Sequence, residues 1–315
     1  MAPGMLRYLA GRLAQALAVM LAVAALAFVI FNVVPGDPVR AMLGDQAQEE
    51  AVEQLRHQMG LDLPLAEQFA RWIGGLLRGD LGTSYTQRRP VSELLALSVG
   101  HTLRLAAGAF ALALVLGVVM GVVAALCQGR WPDRAIMALA VTGISTPAFW
   151  FAIALQLVFS LWLGWLPLSG VASPAALVLP TLALGCRQAA AIARVTRTAL
   201  LEQKGLDYLQ TAVAKGLGRR QALLRHGLRN ALVPIVAICG SQLGDVLGGS
   251  VIVETIFGIP GIGSLLVRAI GQRDLPLIEG CVLYVAFVCV LAYLASDLLY
   301  ALVDPRVRLG DGVTR

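Results

Sequence analysis

The sequence predicts an all-α integral membrane protein with six transmembrane helices and both termini in the cytoplasm. Three observations predict it. First, 58% of the 315 residues are hydrophobic and only 14% are charged, against about 25% charged in ordinary soluble domains. Second, several apolar runs exceed the roughly 20 residues that a helix needs to cross a bilayer. Third, the positive charge is concentrated. Nine Lys/Arg and two acids lie between Arg187 and Arg229, a local excess of +7, while the whole chain carries +6. One basic loop is what the positive-inside rule expects of a cytoplasmic segment. The pI of about 9.4 is therefore a matter of topology, and no nucleic-acid partner is expected.

The elements follow in order. Residues 1–12 form a cytoplasmic N-terminus, with Arg7 and Arg12 ahead of the first apolar run, residues 13–34. That run is too long for a secretory signal and lacks a small-residue cleavage site, so it reads as a retained helix. Residues 35–101 form an external helical subdomain with nine acids and six arginines. Asp45 is positioned to cap a helix that ends near Met59 and Gly60, and a second helix follows Pro64. Leu65, Phe69, Trp72 and Leu76 recur there at helical spacing.

Residues 102–303 make a five-helix core, with spans near 103–127, 135–163, 176–193, 232–253 and 280–303. The first of these contains Gly117-x-x-x-Gly121, which lets helices approach closely. The next has Pro147 in its middle, where a lost backbone bond kinks a helix. Trp162 and Trp165 mark the outer interface. The span at 232–253 carries two small-residue stripes, Gly240-Gly244-Gly248 and Ser241-Asp245-Gly249. Residues 254–279 form an outer surface or re-entrant segment, Glu254 is an interfacial charge, and Asp297 is structural. Residues 304–315 are a cytoplasmic tail.

Little chemistry is present. No G-x-x-x-x-G-K-[ST] occurs, so the chain should not hydrolyse nucleotide, and ATP and Mg would belong to partner subunits. No G-x-S-x-G occurs, and His57, His101 and His226 lie outside the spans or at their ends. The cysteines, Cys127, Cys186, Cys239, Cys281 and Cys289, are odd in number, with no CxxC, and read as small core residues. No catalytic residue, metal site or cofactor bound by this chain is expected. Within the spans, Asp245 is the most pointed residue, since a carboxylate at depth is costly unless solvated or paired. With Gln242 one turn away, it either lines a polar pathway or forms a structural pair between helices.

The cytoplasmic loop at 194–230 holds two helical runs, about Leu206 to Ala214 and Arg219 to Leu228, on either side of Gly216. Positive-inside topology explains the basic residues, and a hinged pair of helices fits a docking handle. The loop resembles that of the permease subunits of ABC importers, in the dipeptide/oligopeptide/nickel branch. Asp207, Tyr208, Thr211, Ala212, Lys215, Gly216 and Leu217 match the first half of its pattern, and His226, Leu228, Arg229, Asn230, Ala231 and Pro234 the second. Further blocks agree: residues 35–38, 79–84, 145–150, 254–257, 260–263, Arg273-Asp274, 297–300 and 304–306.

The resemblance implies a type I ABC importer permease in a bacterial inner membrane, among membrane lipid. Its implied partners are a second homologous permease, two ABC ATPases and an external substrate-binding protein. The ATPases would grip the loop through Asp207, Tyr208, Thr211, Ala212, Lys215, Gly216, Leu217, His226, Arg229 and Asn230. The resemblance assigns no pathway residues; Gln242 and Asp245 stay the pair read from the span itself. The expected cargo is a di- or oligopeptide, with nickel, a metallophore or glutathione as alternatives. From another class, an ion-gradient-driven carrier would want embedded charges on several helices and repeated broken helices.

Overall fold

The computed structural model describes residues 3–33, 38–44 and 47–303. Asp45, residues 35–37 and the tail 304–315 lie outside the described residues, and with them the expected cap and two of the sequence blocks. The described chain is helical, apart from one isolated bridge between Thr83 and Pro90. The helices are α1 (Pro3–Val33), α2 (Pro38–Leu43), α3 (Glu49–Gln58), α4 (Leu65–Leu77), α5 (Val91–Leu126), α6 (Trp131–Ser145) and α7 (Ala148–Leu155). Then come α8 (Val178–Lys204), α9 (Asp207–Ala214), α10 (Arg219–Ala222), α11 (Leu228–Phe257), α12 (Ile262–Gln272) and α13 (Leu275–Val303). Two wider π turns, Gln156–Trp162 and Leu223–Gly227, continue α7 and α10.

Five stretches are long and apolar enough to cross a membrane: Gly11–Ile30, Val91–Leu126, Pro174–Lys204, Arg219–Phe257 and Leu275–Asp297. The sixth is a pair, Trp131–Ser145 and Ala148–Trp162, bent by 108°. The expected kink at Pro147 is thus a full break. The cause sits one residue earlier: Thr146 is extended (φ −77°, ψ 126°), as the residue before a proline prefers. Helix α6 therefore ends at Thr146, whose hydroxyl and N–H both bond the Thr142 carbonyl, and Pro147 starts a new helix.

Two boundaries differ most from the sequence reading. Helix α5 begins at Val91 rather than Leu103, with Glu93 in its first turn. Helix α8 runs on to Lys204, so Arg194 and Arg197 are helical and the inner loop shrinks to residues 205–227.

The chain divides into two compact units. The first comprises residues 1–14, 103–259 and 288–315. Small residues set its spacing. A Cβ on Gly117 would meet Ala189 O at 2.8 Å and one on Gly121 would meet Ala193 O at 2.6 Å, so the backbones of α5 and α8 approach directly. Gly185 returns the contact against Ala109 O at 2.8 Å. On α11, Gly240 and Gly244 receive Ser296 and Tyr293 of α13, and Gly249 receives Leu184 of α8. Gly248, which the sequence grouped with Gly240 and Gly244, meets nothing. A stripe of period four winds about 40° per step around a helix, so its third member has left the contact face. Asp297 pairs with Arg12 at 3.2 Å.

The second unit comprises residues 15–102 and 260–287. Phe69 of α4 meets Phe28 of α1 edge to face and Trp72 meets it tilted, with ring centroids 5.1 and 5.9 Å away. Val91, Leu94 and Leu95 form a core with Ile262, Leu265, Ala269 and Leu277. The 11-residue α12 reaches about 16 Å, too short to span, and the Thr102 hydroxyl accepts its first N–H at 2.8 Å. Asp274 is fully buried and accepts from the Ser84 and Thr86 hydroxyls at 2.6 and 2.7 Å. It also accepts from the N–H groups of Tyr85 and Thr86, both at 3.1 Å.

Candidate functional site

The hairpin between α8 and α11 is built as the sequence suggests. Helix α9 ends at Ala214, and the next residues wrap its last turn: Gly216 N–H bonds Val213 O at 2.9 Å and Leu217 N–H bonds Ala212 O at 3.2 Å. That closure needs a left-handed residue at Gly216, which has φ +97°. A Cβ there would meet nothing within 4 Å. The glycine is required by its backbone angle and not by crowding.

The hairpin has two faces. Leu209, Ala222 and Leu223 are buried with Ala125 of α5, Ala199 and Leu200 of α8, and Ala231 and Ile235 of α11. Tyr208, Ala212 and Leu217 pack against the same cluster, and the Tyr208 hydroxyl donates to Gln203 at 2.8 Å. Asp207, Thr211, Lys215, Gly216, His226, Arg229 and Asn230 are exposed. The ten residues singled out from the sequence thus split into three that seat the hairpin and seven that face outward. Arg219, Arg220 and Arg225 join the outward set, so that face is basic.

His226 lies in the π turn Leu223–Gly227, where an extra residue per turn pushes the chain outward. Gly227 closes this turn, since a Cβ would meet the Leu223 side chain at 2.8 Å.

Sequence reasoning missed the support beneath the hairpin. Asp133, 2% exposed, accepts two hydrogen bonds from Arg197 at 2.6 and 2.9 Å and one from Gly129 N–H at 2.9 Å. A bidentate guanidinium pair fixes direction as well as distance. Lys204 also reaches Gln128 at 2.7 Å, so the 127–130 turn is tied twice to α8. Sixty-four residues separate Asp133 from Arg197, and no local pattern joins them.

Gln242 and Asp245 are brought together only loosely, with 3.5 Å between Nε2 and Oδ2. Gln242 is 7% exposed and its Oε1 has no partner, whereas Asp245 is exposed. Asp245 shares its side of α11 with Ser241, Gly248, Ile252 and Thr255, all exposed. Their spacing of three or four traces one stripe along the helix. Glu254, expected as an interfacial charge, is completely buried instead. The five cysteines are unpaired.

Comparison with known proteins gives the family. Residues 117–309 match the family described as binding-protein-dependent transport system inner membrane component, and residues 5–106 match its N-terminal counterpart. The glutathione transport system permease protein GsiC of Salmonella paratyphi A is 43% identical over 96% of this chain and 99% of its own. The Escherichia coli O6:H1 protein of the same name is 41% identical over the same shares. A Brucella abortus permease named for peptide transport is 42% identical over 94% of this chain and 97% of its own.

Proposed function

Because this chain belongs to the family of binding-protein-dependent transport system inner membrane components, we propose that it is one of two permease subunits of an ATP-driven importer of short peptides. Its own residues form half of a translocation pathway and hydrolyse nothing. Two ATPase subunits bind nucleotide with its Mg, and an external binding protein delivers cargo. The N-terminus and the hairpin lie on the cytoplasmic side. The ion-gradient alternative is set aside with the family.

One observation carries the coupling role. The hairpin's apolar face is seated on the inner ends of α5, α8 and α11 together, while its basic face points outward. A rigid piece gripped from outside moves three spans as one body, which is how interface movements become alternating access. The outward charges call for an acidic groove on the ATPase. The stripe of Ser241, Asp245, Gly248 and Thr255 is the face of α11 turned to the pathway.

The relatives' names support the cargo. Glutathione is itself a tripeptide, so the glutathione and peptide transporters handle one chemical class. Uptake of labelled dipeptide, glutathione and nickel, in cells lacking and then regaining this gene, decides among them. Restored nickel uptake alone would overturn the peptide reading.

Gly216→Val tests coupling. A β-branched residue at φ +97° is strained by about 1–2 kcal/mol, and the strain falls on the outward turn alone. The expected outcome is a purified complex that still hydrolyses ATP while uptake falls tenfold or more. Uptake at the parental rate would exclude the coupling role.

A further inference from the structure

Arg187 is a charge that the hairpin, the ion pairs and the α11 stripe leave unused. The sequence reading places it within the span 176–193 and sums its charge with the basic loop that follows; it lies nine residues into α8, inside the span Pro174–Lys204. At 1.5 Å per residue it is about 14 Å from the start of the helix, half of a bilayer core about 30 Å thick. Among the described residues its guanidinium has no hydrogen-bond or ion-pair partner, although Arg197, ten residues on, has two bonds to Asp133.

Arg187 stands on the wall of a cavity of about 390 Å³ between α5, α6, α7 and α8. The other walls are apolar or weakly polar, with Met120, Leu139, Phe151 and Cys186 among them, and Arg187 is the one charged group in the lining. A cavity of this size and make-up, apolar with a single placed charge, has the character of a small-molecule site. A guanidinium at this depth costs several kcal/mol unless water or an anion meets it.

We propose that Arg187 binds the terminal carboxylate of the transported peptide as it crosses the membrane. This rests on the peptide reading above. The fork of N–H donors matches a carboxylate in two parallel bonds. Depth argues for cargo over lipid, because phosphate headgroups lie at the bilayer surface. A second charge stands at a similar level. Leu184 packs at Gly249, and Arg187 and Asp245 lie three and four residues further inward on antiparallel helices, about 4–6 Å. A free peptide carries one carboxylate and one ammonium; the cavity itself supplies the cation for the first, and Asp245 stands outside its lining at a comparable depth on α11.

The test uses the full complex with its second permease, ATPases and binding protein, reconstituted in liposomes. Uptake of a labelled dipeptide and of its C-terminal amide is measured, each divided by the fraction of binding protein loaded. The parental complex should take up the acid at least tenfold faster than the amide. Arg187→Gln should bring that ratio near one, and Arg187→Lys should restore part of it. An unchanged ratio in Arg187→Gln overturns the proposal.

Two other outcomes overturn it as well. Loss of the second permease from purified Arg187→Gln would give the guanidinium to a carboxylate of that subunit. A ratio set by phosphatidylglycerol content instead of by the peptide terminus would give it to lipid. Failure of the parental complex to transport either peptide would instead strike the peptide reading itself.

Discussion

Asp133 and Asp274 are both buried carboxylates, 2% and 0% exposed, and they are held in opposite ways. Asp133 meets a cation, Arg197, in two bonds. Asp274 meets only neutral donors, the hydroxyls of Ser84 and Thr86 and two backbone N–H groups. The Ser84 hydroxyl also accepts from Gln87 N–H at 3.0 Å, so the 84–87 turn closes around the carboxylate. The difference teaches what each joint can do. A guanidinium–carboxylate fork sets the angle between the 127–133 turn and α8, and so steadies the floor on which the hairpin rests. A ring of neutral donors fixes a loop closure with no cation at the carboxylate.

The largest effect follows from removing one partner of the ion pair. Arg197→Ala leaves Asp133 charged and enclosed, a change that costs about 3–5 kcal/mol. Thermal unfolding of the purified complex should show it. The double variant Arg197→Met with Asp133→Leu should recover most of the loss, because an apolar pair needs no desolvation. If the double variant is as unstable as Arg197→Ala, the joint is set by packing and the charge is incidental.

Next comes the seat of the hairpin. Leu209 is 5% exposed in the cluster that joins α9 to α5, α8 and α11. Leu209→Ala should cost about 2–3 kcal/mol through the lost transfer and the void left behind. It should also lower uptake more than ATP hydrolysis, since a loose handle slips. Equal loss of both activities would mean that the hairpin's seating matters for folding alone.

What the sequence disclosed, and what it hid, divides along the same line. Gly216, the start of α4 after Pro64, and the close approach at Gly117 and Gly121 were legible, because each rests on a backbone angle or spacing within a few residues. The seven outward residues of the hairpin were named with the three inward ones, since a motif records which positions matter but not which way they point. The pair Asp133–Arg197 and the closure of Ser84 on Asp274 span 64 and 190 residues, and no periodicity reports such distances. Arg187 falls inside the span read at 176–193, but its charge sums with the arginine-rich loop that follows, so composition alone does not single it out. Pro147 was recognised, but its effect was assigned to the missing N–H instead of to Thr146, whose extended backbone breaks the helix.

The smallest effect belongs to the neutral ring. Burial opposes the charged form of Asp274, and the Ser84 and Thr86 hydroxyls with the N–H groups of Thr86 and Tyr85 outweigh it, so its carboxyl titrates below the usual range. In the unfolded chain an aspartate takes up its proton near about pH 3.9. The folded value is lower, so the unfolded state binds more protons in that window, and stability rises with pH there. The contribution is complete above about pH 4 and is lost as pH falls through the folded value. Asp274→Asn turns one acceptor into a donor that faces other donors, for a cost of about 1–2 kcal/mol. The gap in melting temperature between parent and variant should be level from pH 8 to 5 and should close below about pH 4. A gap that stays open at pH 3 would show that the ring recognises the shape of the side chain and that its charge contributes nothing.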